Sequence, residues 1–392
     1  MNRVVVRDIE TSAWMAITIE GATISHVEPA TPPDGPVVWA CPAFWDLQMN
    51  GRWGVSFSDS TLTVDQIAAI VRAQAELGTA RVCPTLITAP FEAMRHGVAM
   101  IAEACDTFPD VDRMVLGIHL EGPSISEVDG YRGAHPRDAV RGPDWDEFEQ
   151  LQSASGGRIV LITLAPERPG AIGFIKRAVQ AGVVIGMGHT AADAETLNAA
   201  IEAGATLSTH LGNGIASPLA RHPNPIWTQA ADDRLMASFI ADGHHLDRAM
   251  LRVLLRAKAG RAFLVSDASP LAGLPVGRYG DWAVDPSGKI LVAGTPYLAG
   301  ASRGLEYAIN EVLAAESMLA TYGATDMVNL VPARVLGRGR PNLHDVGEPA
   351  NLVRFHLEGR QFRLVDTCVD GRWVPRGEAT APSGIAPSLD GQ

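Results

Sequence analysis

The chain has few lysines and little positive charge. Its 392 residues include 44 acidic and 32 basic side chains, a formal net charge of -12, and its only lysines are Lys176, Lys258 and Lys289. Binding to nucleic acid or to an anionic membrane by counterion release needs a basic surface. The composition therefore argues against both kinds of partner, although it permits a small anionic substrate held by a few local groups.

Cysteine is also scarce, and long apolar runs are missing. The four cysteines, Cys41, Cys83, Cys105 and Cys368, lie far apart and form no Cys-x-x-Cys pair. We therefore expect buried, reduced thiols rather than disulfides or a zinc knuckle. The N-terminus becomes charged before a signal-peptide core could form, and no apolar run reaches membrane-spanning length. These absences predict a cytoplasmic protein with no membrane partner.

From residue 43 to about 300, the sequence repeats a short β-branched run followed by a stretch with helical spacing. The eight predicted strands are Ala43–Gln48, Ala80–Thr85, Met114–His119, Ile159–Leu164, Val183–Met187, Thr206–His210, Met236–Ile240 and Ala262–Ser266. Alternating strands and helices indicate a parallel sheet that is covered on both faces. A count of eight favours a closed (β/α)8 barrel, similar to the TIM barrel, over an open doubly wound sheet.

Both ends of the chain read as short strands separated by Gly and Pro turns. We expect residues 1–42 and 343–375 to pair into one small β-sandwich domain, because chain ends often lie close together. The α/β barrel domain then spans residues 43–342 and carries a hairpin insertion from Pro270 to Ala299. Residues 376–392, rich in Pro, Gly, Ser and Ala, are expected to form a flexible tail.

Potential metal ligands lie at the predicted strand ends, where barrel enzymes place their chemistry. Glu121 follows strand three, His189 follows strand five and His210 ends strand six. Two imidazoles and a carboxylate suit a zinc-type site that leaves a position open for water. Asp267, after strand eight, could then act as a general base. A single histidine there is more often structural, but four such groups on one rim favour a metal site.

Three neighbouring residues have less specific interpretations. His119 is expected to support the ligands, with ligation as the alternative. Asp242 either supports the site or caps the next helix. His244 is expected to be a polar residue on the surface.

At these positions the sequence resembles the N-acetylglucosamine-6-phosphate deacetylases of the amidohydrolase superfamily. The most specific motifs are His119-Leu120-Glu121-Gly122-Pro123 and Ala241-Asp242-Gly243-His244-His245. Further matches extend along nearly the whole chain, among them Cys83-Pro84-Thr85-Leu86-Ile87-Thr88, Gly133-Ala134-His135-Pro136 and Ser266-Asp267-Ala268. The resemblance implies a barrel with a terminal β-sandwich, a homodimer, and hydrolysis of N-acetylglucosamine 6-phosphate to glucosamine 6-phosphate and acetate.

The resemblance also implies roles for individual residues. The implied metal ligands are Glu121, His189 and His210, the implied acid/base is Asp267, and the implied contact to the acyl carbonyl is His135. The groups matching those that hold the sugar phosphate are Asn213, the backbone at Gly214, Arg221 and His245. In the family, the residue matching Arg221 reaches across from the neighbouring subunit. The loop against which the substrate lies matches Ala299, Gly300 and Ala301.

The sequence departs from many amidohydrolases at the first barrel strand. It has Gln48-Met49-Asn50 where they have a His-x-His ligand pair, and neither amide is a strong ligand. The three lysines fall in predicted helices or in the insertion, so no candidate remains for a carboxylated bridging lysine. We therefore expect one divalent metal per chain, with zinc as the first choice and iron, manganese or cobalt as alternatives.

Other departures touch the substrate and leave its identity open. Gly214 stands where an alanine is common, and Ala299 and Ala301 replace small hydroxyl residues. Alternatives are therefore another N-acyl amino sugar, such as N-acetylgalactosamine 6-phosphate, or another N-acyl compound. A non-catalytic sugar-phosphate-binding barrel is a further alternative, disfavoured because such proteins tend to lose the metal ligands or the acid/base first.

Overall fold

A parallel eight-stranded sheet and a terminal seven-stranded sheet organise the chain in the computed structural model, which describes residues 2–382 and 384. The strands are β1 (Asn2–Asp8), β2 (Trp14–Glu20), β3 (Thr23–Pro29), β4 (Trp39–Pro42), β5 (Phe44–Met49), β6 (Gly51–Arg52), β7 (Val55–Ser56), β8 (Thr79–Ile87), β9 (Ile118–Glu121), β10 (Ile159–Leu164), β11 (Val184–Met187), β12 (Leu207–Ser208), β13 (Met236–Phe239), β14 (Ala262–Leu264), β15 (Gly277–Tyr279), β16 (Trp282–Val284), β17 (Ile290–Val292), β18 (Leu352–Glu358), β19 (Gln361–Val369) and β20 (Arg372–Pro375).

The helices alternate with the barrel strands and then follow the insertion. They are α1 (Val64–Ala73), α2 (Phe91–Thr107), α3 (Pro109–Met114), α4 (Trp145–Ala154), α5 (Ala171–Gln180), α6 (Ala194–Glu202), α7 (Pro225–Ala231), α8 (Arg248–Ala257), α9 (Leu305–Ala315), α10 (Thr321–Asp326) and α11 (Leu330–Val335), with short 3₁₀ turns at Gln74–Leu77 and Arg137–Ala139.

The predicted (β/α)8 barrel is confirmed. Its strands follow the order β14-β13-β12-β11-β10-β9-β8-β5, and every neighbouring pair is parallel. The ring closes between β5 and the segment after β14. There the Asp267 amide donates to the Gln48 carbonyl at 2.9 Å, and the Asn50 amide donates to the Ala268 carbonyl at 2.9 Å. This closing contact joins the first and last strands at the end of the barrel where chemistry is expected.

Burial of one apolar face holds each outer helix to the sheet, as α8 illustrates. It buries Leu251, Leu254 and Leu255, each contributing about 1.5–3 kcal/mol, while the Asp247 side chain caps its N-terminus by accepting from two backbone amides. Such a cap contributes about 1 kcal/mol. Burial therefore outweighs capping in fixing the helix against the barrel.

The third barrel strand begins later than predicted. Met114, predicted as the first residue of this strand, is instead the last residue of α3, which begins at Pro109 with the fixed φ that suits a first helical turn. Gly117 then has a φ of +148°, and a Cβ there would lie 2.5 Å from a Val160 methyl carbon. The chain enters β9 only after this glycine, and Glu121 becomes its last residue.

The two chain ends form one small β unit, as predicted. Strands β20, β19, β18, β4, β1, β2 and β3 share a single sheet in that order, in which β1 and β4 are parallel and the other pairs antiparallel. Side chains from these strands, among them Val6, Ile17 and Leu352, form an apolar cluster. The exact domain boundaries, at residues 42/43 and 342/343, stay predictions.

The segment after β20 runs back to the barrel. The Ala379 carbonyl accepts hydrogen bonds from Trp53 Nε1 at 2.6 Å and Arg52 Nε at 3.1 Å, and its amide donates to Glu76. Ala379 is buried. Of the predicted tail, residues 383 and 385–392 lie outside the described residues.

The insertion after β14 forms a small sheet of three antiparallel strands, β15 to β17, where a hairpin was expected. All four cysteines are buried and unpaired. Among the described helices, none combines the length and the apolar character that a membrane crossing requires. The cytoplasmic location stays a prediction.

Candidate functional site

A cavity of about 310 Å³ opens at the carboxyl ends of the barrel strands. Most of the residues singled out from the sequence line it, namely Glu121, His135, His189, His210, Asn213, Gly214, His245, Asp267, Ala299 and Gly300. These residues come from strands and loops spread over 180 positions of sequence, from 121 to 300. The barrel therefore brings together Glu121, His189, His210 and Asp267, which were predicted from their places at strand ends, with most of the residues that the resemblance implied.

Glu121, His189 and His210 form a compact cluster that could hold a metal ion. One ligand atom from each lies within 4.8 Å of the other two, and all three side chains are buried. Glu121 Oε1 lies 2.8 Å from His210 Nε2 and 3.3 Å from His189 Nε2. Two imidazole nitrogens thus converge on one carboxylate oxygen, which is the donor set of catalytic zinc sites.

The hydrogen bonding of His189 leaves the correct nitrogen available for a cation. His189 Nδ1 lies 2.9 Å from the Tyr131 carbonyl oxygen, which can only accept, so Nδ1 carries the proton. Nε2 then presents its lone pair to the cluster. A backbone partner that fixes the ring in this way is typical of metal-binding histidines. His210 Nδ1 is buried and has no partner among the described residues.

The charge balance of the cluster also favours a cation. Burial acts to raise the pKa of Glu121, but hydrogen bonds and charge interactions with His189 and His210 outweigh it and hold that pKa well below its usual range. Glu121 is therefore an anion at neutral pH, in a place where an isolated charge would be costly. Buried charges in proteins are paired or coordinate metals.

Asp267 is held by two amide side chains from the first barrel strand. Its Oδ1 accepts from Asn50 Nδ2 at 2.7 Å and from Gln48 Nε2 at 3.2 Å. Oδ2 accepts no hydrogen bond from any residue that the structure describes. One carboxylate oxygen is thus anchored, and the other is free to act in the cavity. Burial, and next the Glu121 carboxylate, raise the pKa of Asp267 to about 7.

Backbone strain marks the same residues. His189, His210 and Asp267 have φ values of +49°, +33° and +47°, in the left-handed region that side chains other than glycine rarely adopt. Each lies just beyond a barrel strand, where the left-handed residue turns the chain. Such strain persists only where the surrounding structure enforces it, and it is concentrated at functional sites.

His135 lies on the loop after β9 and contacts His189. Their Nε2 atoms are 3.3 Å apart, and the two rings meet edge to face with centroids 4.4 Å apart. Burial, and next the neighbouring His189, lower the pKa of His135 to about 3. His135 is therefore a neutral imidazole at ordinary pH, which can donate one hydrogen bond and accept another.

Asp242 orients His245, which lines the cavity. Its Oδ2 lies 2.9 Å from His245 Nδ1, and its Oδ1 accepts from the amides of His244 and His245. Burial opposes ionisation of Asp242, but the hydrogen bond to His245 outweighs it and lowers the pKa of Asp242 to about 2. Of its two sequence interpretations, support of the site fits, whereas Asp247 caps the following helix.

Two predicted substrate contacts lie elsewhere. Ala301 is buried behind the cavity, where its amide donates to the Asp267 carbonyl at 2.8 Å. Arg221 is exposed, does not line the cavity and makes no hydrogen bond or ion pair with the described part of its own chain. Arg221 therefore lies outside the cavity as one copy of the chain forms it.

His119 and the lysines take structural positions. His119 Nε2 lies 2.8 Å from Thr163 Oγ1 and Nδ1 lies 3.1 Å from the Leu47 carbonyl, so it bonds to neighbouring strands and not to the Glu121 cluster. His244 is partly buried. None of the three lysines, all of which are described, lines the cavity.

The sequence argument missed several residues of the site. It treated Gln48 and Asn50 only as weak ligands, and it gave no role to Trp282 and Tyr297, which line the cavity from the insertion. The position of Gln48 and Asn50 at the end of strand one was a usable signal, because polar side chains there face the same rim. Nothing in the pattern placed the insertion over the cavity.

Comparison with known proteins agrees with this geometry. The model of the amidohydrolase family matches residues 39–374. An N-acetylglucosamine-6-phosphate deacetylase from Bos taurus is 34% identical over 325 residues, 80% of this chain and 78% of the relative. An N-acetylgalactosamine-6-phosphate deacetylase from Escherichia coli O157:H7 is 31% identical over 300 residues, 76% of this chain and 78% of that protein.

A solved structure of N-acetyl-D-glucosamine-6-phosphate deacetylase from Mycobacterium smegmatis, an alanine variant in complex with N-acetyl-D-glucosamine-6-phosphate, has a similar fold. It superposes with a TM-score of 0.83 at 28% identity and covers 97% of this chain and 100% of its own.

The packing of Gly133 on His189 yields a prediction about metal affinity. Gly133 has a φ of +58°, and a Cβ there would lie 3.0 Å from His189 Cε1 and 3.3 Å from Nδ1, the atom that bonds to Tyr131. We expect Gly133→Ala to displace the ring and weaken zinc binding by about tenfold. Competition with a chromophoric chelator measures the affinity.

Gly337→Ala is the matched control, because Gly337 has a φ of +61° and open space around its Cβ position. Both variants carry the same backbone strain, of about 1–2 kcal/mol. Equal zinc affinity in Gly133→Ala and Gly337→Ala would contradict the proposed contact.

Proposed function

The chain belongs to the amidohydrolase family, among the N-acetylglucosamine-6-phosphate deacetylases, and on this premise we propose that it hydrolyses N-acetylglucosamine 6-phosphate to glucosamine 6-phosphate and acetate. One observation carries the proposal: the Glu121–His189–His210 cluster, the half-anchored carboxylate of Asp267 and the neutral His135 all line one cavity. A catalyst of amide hydrolysis needs these three functions in one place.

We infer that Glu121, His189 and His210 hold one divalent cation, with zinc as the first choice for two imidazoles and a carboxylate. When bound, the cation supplies Lewis acidity that polarises the amide carbonyl and lowers the pKa values of water and of the nearby Asp267. A single cation is favoured because Gln48 and Asn50 direct their amide groups to Asp267 instead of acting as ligands.

Asp267 acts as the proton carrier in this proposal. Its free Oδ2 accepts a proton from the water that attacks the amide carbon, so that a C–O bond forms and negative charge develops on the former carbonyl oxygen. Asp267 then gives the proton to the nitrogen as the C–N bond breaks, which releases the amine and acetate. Oδ1 stays bonded to Gln48 and Asn50 throughout, so the carboxylate keeps its orientation.

His135 stabilises the tetrahedral intermediate. As a neutral imidazole it can donate one N–H into the cavity, toward the oxygen that becomes negative. Because its pKa is low, the ring is neutral at neutral pH, so only one of its two nitrogens carries a hydrogen. His135 and the Glu121 cluster together face the acyl group.

The phosphate is proposed to bind in the same cavity. Asn213, Gly214 and His245 line it, and Asp242 holds the His245 ring in place. We propose that the chain forms a homodimer in which Arg221 of one copy reaches the phosphate bound by the other. Arginine offers a planar pair of donors that suits a phosphate dianion.

A substrate panel tests the activity. With zinc-loaded enzyme containing one equivalent per chain by metal analysis, we expect acetate release to be faster from N-acetylglucosamine 6-phosphate than from its galactosamine epimer. The unphosphorylated sugar should lose at least about 10²-fold in kcat/KM, because several charge-assisted hydrogen bonds go unmade. Asp267→Asn should lower kcat by roughly 10²- to 10⁴-fold with zinc content retained.

Each result of the panel has a clear meaning. Faster turnover of the galactosamine epimer would overturn the choice of sugar, and equal rates with and without phosphate would overturn the phosphate assignment. Near-normal turnover in Asp267→Asn would overturn its role as proton carrier, and two equivalents of zinc would contradict the single-cation site.

The anchoring of Asp267 predicts a pH effect. The hydrogen bond from Asn50 lowers the pKa of Asp267, so Asn50→Ala raises that pKa and leaves less of the ionised form at a given pH. Because Asp267 acts in its ionised form, the acidic limb of the kcat/KM profile should move to higher pH. Arg278→Ala, on the exposed insertion, is the control. An unmoved acidic limb in Asn50→Ala would argue against the anchoring role.

Mixed dimers test the place of Arg221. Neither Arg221→Ala nor Asp267→Asn alone should turn over at the normal rate, but subunit exchange between them should restore about a quarter of wild-type activity. Half of the randomly exchanged dimers are mixed, and each mixed dimer has one intact site if Arg221 serves its neighbour. Mixing restores nothing if Arg221 serves its own chain, and that result would overturn the shared site.

A further inference from the structure

A buried threonine next to the catalytic cavity contacts His135 and has no role in the function proposed so far. Thr88 follows β8 directly and is only 1% exposed. Its backbone amide donates to His135 Nδ1 at 3.4 Å, and its Oγ1 lies 2.8 Å from the same nitrogen. Both polar groups of Thr88 therefore meet one atom of the His135 ring.

The chemistry of these two groups determines where His135 carries its proton. A backbone N–H can only donate, so Nδ1 must offer a lone pair to it. The threonine hydroxyl, which can act either way, then donates to Nδ1 as well. A neutral imidazole with its lone pair on Nδ1 carries its hydrogen on Nε2.

The other side of the ring is compatible with this assignment. His135 Nε2 lies 3.3 Å from His189 Nε2, the nitrogen whose lone pair the proposed function assigns to the cation. A hydrogen on His135 Nε2 is therefore left to point into the cavity. With hydrogen on Nδ1 instead, the Thr88 amide and His135 would face each other with two N–H groups.

The protein makes space for the Thr88 hydroxyl. A Cβ at Gly122 would lie 2.2 Å from Thr88 Oγ1, so only glycine fits there. Among the described residues, the hydroxyl has His135 as its one hydrogen-bond partner.

We propose that Thr88 is a positioning residue that fixes His135 as the tautomer with hydrogen on Nε2. This inference rests on the proposed function, in which His135 donates a hydrogen bond to the acyl oxygen. The two polar groups of Thr88 keep the hydrogen away from Nδ1, where the substrate cannot reach it, and aim the Nε2–H into the cavity. Thr88 thus acts on the reaction through His135 and without touching the substrate.

A double-mutant cycle tests whether Thr88 acts through His135. Thr88→Val removes the hydroxyl and keeps the shape, and we expect it to lower kcat by about tenfold with little change in KM. Thr88→Ser, which retains the hydroxyl, should stay close to the wild type. In a His135→Gln background the effect of Thr88→Val should vanish, because the ring on which it acts is gone.

The control for the loss of a buried hydroxyl is Thr325→Val, since Thr325 is equally buried and bonds to the Tyr322 carbonyl away from the cavity. It should leave kcat unchanged. Thr88→Ala repeats the cycle without the added methyl group if Thr88→Val melts at a lower temperature than Thr325→Val. An equal loss from Thr88→Val with and without His135 would overturn the proposal.

Nitrogen NMR gives a second readout that needs no turnover. In protein labelled with ¹⁵N-histidine, the signals of His135 are identified by their absence from the His135→Gln spectrum. We expect Nε2 of His135 to have the shift of a protonated ring nitrogen and Nδ1 that of a lone-pair nitrogen, with a shift toward the opposite tautomer in Thr88→Val.

A protonated Nδ1 in the wild type would overturn the proposal whatever the activity. If no N-acetylated sugar phosphate is hydrolysed but the spectrum shows hydrogen on Nε2, the proposed function fails while the tautomer assignment stands. The two failures are therefore distinguishable.

Discussion

The closing contact between the first barrel strand and the segment after the last one determines the geometry of the site. Backbone hydrogen bonds join Gln48 to Asp267 and Asn50 to Ala268, and the side chains of Gln48 and Asn50 hold the Asp267 carboxylate. Asp46, two residues before Gln48, extends this contact, because its Oδ1 accepts hydrogen bonds from the backbone amides of Ser266 and Gln48. The bonds that make the barrel a closed ring therefore also aim the carboxylate that we propose as the general base.

This arrangement explains why the first strand can lack histidine ligands without leaving the Asp267 carboxylate unpaired. Two imidazoles at the position of Gln48 and Asn50 would face a cation, whereas two amides face a carboxylate and satisfy it. The exchange leaves Asp267 with one anchored oxygen and one free oxygen, which is what a proton carrier requires. The acidic surface of the chain does not determine the charge states of Glu121 and Asp267, because burial and the neighbouring buried groups set them.

Much of the fold and of the site could be predicted from the sequence, because both follow from local patterns. The alternation of apolar strands and amphipathic helices predicted the barrel, and strand ends predicted the common rim of Glu121, His189, His210 and Asp267. The predicted strand began at Met114 whereas β9 begins at Ile118, because the apolar run that opens at Met114 starts inside α3 and such a short run fits a helix end as well as a strand. Pairings across the closed ring could not be predicted.

Gln48 and Asn50 bond to a residue 219 and 217 positions away, and no periodicity encodes that partner. Thr88 lies at a strand end like the ligands, but its importance depends on which ring nitrogen it meets. Arg221 shows a different limit, since the role proposed for it involves another copy of the chain and leaves no trace in its own surroundings. Local patterns thus identify which residues lie at the rim of the barrel. Their hydrogen-bond partners are determined only when the barrel closes in three dimensions.

The docking of Ala379 on Arg52 and Trp53 has a consequence for how the protein is made. These partners are 327 and 326 positions apart, and the loop that receives Ala379 directly follows Gln48 and Asn50. During synthesis every barrel strand leaves the ribosome before residue 379 does. The first strand of the ring, the earliest barrel element to be translated, is therefore the one whose active-site loop must wait longest for its final contact.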